Sequence, residues 1–116
     1  MDKTAPVIDT MTFRPIPGET ITTNTFKISA GYYNKKNEVG GIDKYKSVFL
    51  LDEGGTQILN LTNRIIFYDT YFEYNYQNLT NQNTGILTIS DNAGNTNSVK
   101  WSWRRGDTIN INIPKI

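Results

Sequence analysis

Three sets of residues in this sequence are of types that do chemistry. Tyr68, Tyr71, Tyr74 and Tyr76, with Tyr32 and Tyr33 upstream, are numerous enough to build a flat aromatic platform on which the C–H faces of sugar rings stack. Arg105-Gly106-Asp107 is the tripeptide that integrins read, and it falls between two alternating runs, where a hairpin would display it. Asp91 and Asn92, joined by Asp2 if both ends of the fold met at a domain junction, would offer oxygen ligands to Ca²⁺. The adjacent carboxylates Asp52 and Glu53 are a poor acid/base pair, because neighbouring residues of a strand point to opposite faces.

Each set also has a plainer structural reading. Tyrosines alternating along a strand bury more area in a core than any other use would give them, and no polar residue is identifiably placed to orient a sugar. Gly between charged residues makes an ordinary turn, and Asp and Asn build turns by bonding the backbone two residues on. A full Ca²⁺ site takes about six oxygen ligands, and no carboxylate cluster is visible.

Composition removes whole classes of function. With no Cys and no His, thiol nucleophiles, thiolate or imidazole metal sites, disulfides and Ser-His-Asp triads are all excluded. Any metal must be a hard cation held by oxygen, and no other cofactor is implied. Twelve basic against 11 acidic side chains leave a net charge of +1, too little to gather nucleic acid or anionic lipid. No apolar run approaches the length of a bilayer span, so membrane insertion is not expected. Met1-Asp2-Lys3-Thr4 has no signal-peptide character, which fits a segment of a larger secreted protein or a virion component.

The elements that must carry these residues read as strands. Thr84 to Trp103 is the clearest: Leu87 and Ile89 alternate with Thr88 and Ser90, then Val99, Trp101 and Trp103 with Lys100 and Ser102. The turn Asp91-Asn92-Ala93-Gly94-Asn95 joins the two runs as a hairpin, with Ile89 facing a core and Ser90 facing water. Upstream, Asp2 to Pro6 reads as a linker. Val7 to Phe13 is an irregular edge strand, with Val7, Met11 and Phe13 on one parity, stopped by Pro15-Ile16-Pro17-Gly18. Ile21 to Tyr33 sends Phe26, Ile28, Ala30 and Tyr32 to one face. Ile42 to Asp52 does the same with Tyr45, Phe49 and Leu51, and a short strand follows at Gln57 to Leu61. The aromatic stretch Ile65 to Tyr76 forms one or two strands. After Trp103, Ile109, Ile111 and Ile113 alternate strictly with Thr108, Asn110 and Asn112.

Seven or eight short strands at spacings of about ten residues predict one all-β domain over residues 1–116, an antiparallel β-sandwich. Asp2-Lys3-Thr4-Ala5-Pro6-Val7-Ile8, Gly41-Ile42-Asp43-Lys44-Tyr45 and Leu87 to Asn95, in that order and separation, resemble the three best-marked places of bacterial immunoglobulin-like domains. The resemblance covers roughly residues 2 to 103. It implies an immunoglobulin-like sandwich, no catalytic residues, and a place on a bacterial cell surface, in an extracellular protein or on a phage virion. Gly85 departs from it, because the family often carries an aromatic there; the aromatic-rich segment is expected to compensate. Residues 104–116 also run past the family's usual end, as an added or exchanged strand. The function expected is that of a non-enzymatic structural spacer or adhesion unit. Its partners would be neighbouring domains, with a host surface glycan or protein for an adhesin. The alternative is a carbohydrate-binding module of a secreted glycosidase or a phage tail protein.

Overall fold

The computed structural model describes residues 5–23, 25–33, 42–43, 46–55, 57–77 and 82–106. Eight strands follow one another among them: β1 (Val7–Arg14), β2 (Thr20–Ile21), β3 (Thr25–Tyr33), β4 (Val48–Asp52), β5 (Ile58–Asn60), β6 (Tyr71–Gln77), β7 (Gln82–Ser90) and β8 (Thr96–Arg105), with a 3-10 turn at Thr62–Arg64. They form a three-stranded sheet, β1-β3-β6, and a five-stranded sheet, β2-β8-β7-β4-β5. All pairings are antiparallel except β2 with β8. The chain is an all-β protein, and its two sheets pack as a sandwich. Asp2, Tyr45, Asp107 and the isoleucine run 109–113 lie outside the described residues.

The hairpin β7–β8 is paired without a break from Gln82↔Arg104 to Ser90↔Thr96, as the alternation predicts. Its inward residues Leu87, Ile89, Trp101 and Trp103 are buried. They meet Phe49 and Leu51 of β4 and, from the other sheet, Ile28, Ala30 and Tyr32 of β3 and Phe72 of β6. Each such side chain contributes about 1.5–3 kcal/mol by leaving water. Phe49 lies against Phe72 with ring centroids 5.2 Å apart, and Phe13 of β1 stacks on Trp101 at 4.1 Å and 9°. These contacts set β6 over β4 and β1 over β8.

The first strand crosses between the sheets. β1 pairs with β3, the chain turns through Pro15–Gly18, and β2 then runs parallel to β8. Gly18, at a φ of 84°, donates its N–H to Ser102 O, and the buried Trp101 indole N–H donates to Pro15 O at 3.0 Å. Within β1 the register slips between Asp9 and Arg14. Thr12 Oγ1 donates to Asp9 O at 2.6 Å and accepts from Gly31 N at 2.7 Å, filling the slip. The irregular parity of this strand follows: Ile8 and Phe13 are buried, while Met11, expected beside Phe13, is 84% exposed.

Two further expectations are corrected. Ser90 does not face water. Asp43, Lys46 and Ser47 lie beside it: Asp43 N donates to Ser90 O, Ser90 N to Ser47 Oγ and Ser90 Oγ to Lys46 O, and Ser90 is buried. Pro6 is also no linker residue: it is buried, and its carbonyl accepts from Asn97 Nδ2 at 3.0 Å. Gly85 faces the core, and a Cβ there would lie 3.0 Å from the Phe49 ring and 3.3 Å from Trp103. The volume an aromatic would take at position 85 is filled by rings from β4 and β8.

Candidate functional site

The tyrosines of the proposed platform divide into two pairs. Phe67 and Phe72 form an isolated antiparallel bridge, both buried, with ring centroids 5.6 Å apart. The bridge closes a loop, held also by Tyr68 N donating to Tyr71 O at 2.8 Å. Tyr68 and Tyr71 therefore leave the loop together, stacked at 4.8 Å and 25°, and are 43% and 41% exposed. Beyond the bridge β6 alternates: Tyr71, Glu73, Asn75 and Gln77 point out, while Phe72, Tyr74 and Tyr76 point toward the core. Tyr74 and Tyr76 are half-buried there, 5.9 Å apart.

The exposed pair stands on a buried phenol. Tyr32 Oη lies 2.7 Å from the carbonyl oxygens of both Tyr68 and Tyr71, its single proton shared between them, and Tyr32 N donates to Thr70 O. Burial raises the Tyr32 phenol above its ordinary range, and the Asp69 carboxylate and the Tyr71 phenol raise it further. It therefore stays a donor. The pair is held from below by hydrogen bonds of Tyr32 to its backbone carbonyls, and both rings remain partly exposed.

The inward pair has different chemistry. Tyr76 Oη donates to Glu53 Oε2 at 3.1 Å, and Gln57 Nε2 donates to Glu53 Oε1 at 2.8 Å. Burial pushes the Tyr76 phenol up to about 12, with the charge and hydrogen bond of Glu53 adding to the shift. Glu53 is buried and thus bonded by residues of β6 and of the β4–β5 turn. Sequence reading missed this cluster, since nothing local links a glutamate to a tyrosine 23 residues on.

Asp91 is buried, and its carboxylate is used by its own turn. Oδ1 accepts from Ala93 N at 3.0 Å and Asn95 N at 2.8 Å, and Oδ2 from Asn95 Nδ2 at 3.1 Å. Asn92 is exposed at the tip and Gly94 adopts a φ of 93°. Among the described residues no three acidic side chains gather as a metal site would require. Of the tripeptide, Arg105 closes β8 with Nη1 donating to Thr23 O at 2.5 Å, and Gly106 N donates to Ile21 O at 2.6 Å. Both are held against β2 and the chain following it.

No family model matches the chain, and no curated protein matches it. Among solved structures, a chain in the crystal structure of dimeric latent PorU from Porphyromonas gingivalis is similar, with a TM-score of 0.58 and 21% sequence identity. The match covers 91% of this chain and 11% of that one. At that identity the likeness speaks to fold alone. Among the described residues no helix is long and apolar enough to cross a membrane.

Proposed function

We propose that this chain is a non-enzymatic immunoglobulin-like module of an extracellular or virion surface protein, serving as a spacer or adhesion unit. The observation that carries this reading is the strand order. An immunoglobulin sandwich sets strands A, B and E against G, F and C with the first strand shared between sheets, and a sheet β1-β3-β6 facing a sheet β2-β8-β7-β4-β5 supports that reading. The path also suits a spacer. Val7 pairs with Tyr33 at one end of the sandwich and Arg105 lies by Ile21 at the other, so tension along the chain loads the parallel β2–β8 pair in shear. A polyprotein of several copies stretched by single-molecule force should show one high unfolding peak per copy, lowered when Ile21→Pro removes the N–H of a β2 residue. Peaks absent from the wild type, or measurable hydrolase activity of the isolated chain, would overturn the reading.

A second reading, a carbohydrate-binding module, is favoured by one observation: the exposed Tyr68–Tyr71 stack with Asp69 between them. Glycan-array binding that is lost in both Tyr68→Ala and Tyr71→Ala but kept in Tyr33→Ala would establish it. A silent array would leave the spacer.

A further inference from the structure

The two sheets turn different outer faces to water. On the three-stranded sheet that face carries paired charges, with Lys27 of β3 and Glu73 of β6 3.4 Å apart. On the five-stranded sheet, β4, β7 and β8 are in register over three outward rows. The middle row is Leu50, Ile86 and Lys100, and the rows on either side begin at Val48 and at Asp52. Val48, Leu50 and Ile86 are half-buried, and Ile58 of β5, opposite Asp52, is 59% exposed. The remaining positions are hydroxyls that bond one another across β7 and β8. Thr84 Oγ1 lies 2.7 Å from Ser102 Oγ, and Thr88 Oγ1 lies 2.7 Å from Ser98 Oγ. Each hydroxyl thus has one hydrogen bond from within the sheet, which lowers the cost of taking it out of water.

Among the described residues of these rows only Asp52 and Lys100 are charged, and no ion pair joins either to another described residue. Asp52 is steadied by its turn, where Oδ1 accepts from Gly55 N at 2.8 Å. Lys100 is exposed. The two stand on opposite sides of β7, two strands and one row apart. At about 4.8 Å per strand and about 6.8 Å per row, their Cα atoms are about 12 Å apart, with Ile86 and Thr84 between them.

We propose that this face is an interface and that its occupant is the same face of a second copy of this chain. A two-fold axis lying across the line from Lys100 to Asp52, over β7 between Ile86 and Thr84, sets Lys100 of each copy on Asp52 of the other. The same rotation brings Leu50 of each copy against Ile86 of the other, so one contact makes two ion pairs around an apolar centre. Charge complementarity selects the occupant. A face with one cation and one anion set about its own centre complements its copy, whereas a face of a single sign would repel it. This association goes beyond the spacer or adhesion reading and is compatible with both.

Sedimentation equilibrium of the full-length chain tests it. The wild type should show a monomer–dimer equilibrium below about 1 mM. Lys100→Glu sets glutamate against Asp52 twice, and Asp52→Lys sets lysine against Lys100 twice, so each should weaken dimerisation at least about tenfold. An equimolar mixture of the two variants should form a heterodimer of about wild-type affinity, because one copy then offers two acids and the other two bases. Unfolded variants cannot give that recovery, so the mixture separates lost charge pairing from lost folding. A wild type that stays monomeric to about 1 mM would overturn the interface. Single variants that dimerise as the wild type does, or a mixture that stays monomeric, would overturn it equally.

Discussion

Asp91 shows how a carboxylate in a tempting place can be wholly used by local structure. Its oxygens accept three hydrogen bonds within the turn, and removing them takes the carboxylate acceptor away from Ala93 N, Asn95 N and Asn95 Nδ2 in a partly buried turn. Asp91→Ala should lower stability by at least about 1.5–3 kcal/mol, the range for one hydrogen bond to an ionised group. Asn92→Ala should change it by less than about 0.5 kcal/mol; chemical denaturation of both variants checks the pair. Tyr76 makes a pH-dependent counterpart. Its pKa of about 12 in the fold lies above the ordinary 10.0, so the neutral phenol is the form the fold favours. That contribution is fully present below the ordinary value and is lost as pH rises through the folded one. The stability of the wild type relative to Tyr76→Phe should therefore fall between pH 10 and pH 12, read from urea midpoints at each pH.

At the scale of elements, Gly85 tests how tightly the hairpin meets β4. A Cβ 3.0 Å from the Phe49 ring has nowhere to go, because the ring is held by Phe72 and Trp101 on other strands. Gly85→Ala should cost about 1–3 kcal/mol by overpacking, measured as a shift in denaturation midpoint. Strands with strict alternation were legible in the sequence: β3, β7 and β8 place their apolar residues inward as their period dictates. What period could not reveal came from contacts distant in sequence. Ser90 alternates like a solvent-facing residue but is buried and bonded to Asp43, Lys46 and Ser47, so Ser90→Asp should destabilise nearly as much as Ile89→Asp, while Lys100→Asp should be tolerated. Tyr68 shares parity with Tyr74 and Tyr76, yet the Phe67–Phe72 bridge resets the phase and sends it outward. The candidate aromatic site was thus legible in its residue types and not in its grouping, which a loop of a few residues decides.

For the whole molecule, the balance is between a closed side and an open one. The β1–β2 crossing covers the side of the sandwich at β8, with Phe13 stacked on Trp101 and Pro15 bonded to its indole. The opposite side, between β5 and β6, exposes part of Tyr74 and Tyr76. Three alternating isoleucines left in water would each forgo about 1.5–3 kcal/mol, so a cover supplied by the same copy or by a second one would stabilise the fold. A fold completed by association melts at a temperature that depends on its concentration, because mass action favours the bound state. If a second copy supplies that cover, the melting temperature of the full chain rises by a few degrees for each tenfold increase in protein concentration. Deleting residues 108–116 should lower the melting temperature and reduce that dependence. If the deleted chain melted lower but the full chain showed no concentration dependence, the isoleucines would be covered within one copy. If neither changed, they would lie outside the cooperative unit altogether, and the domain would end near Gly106.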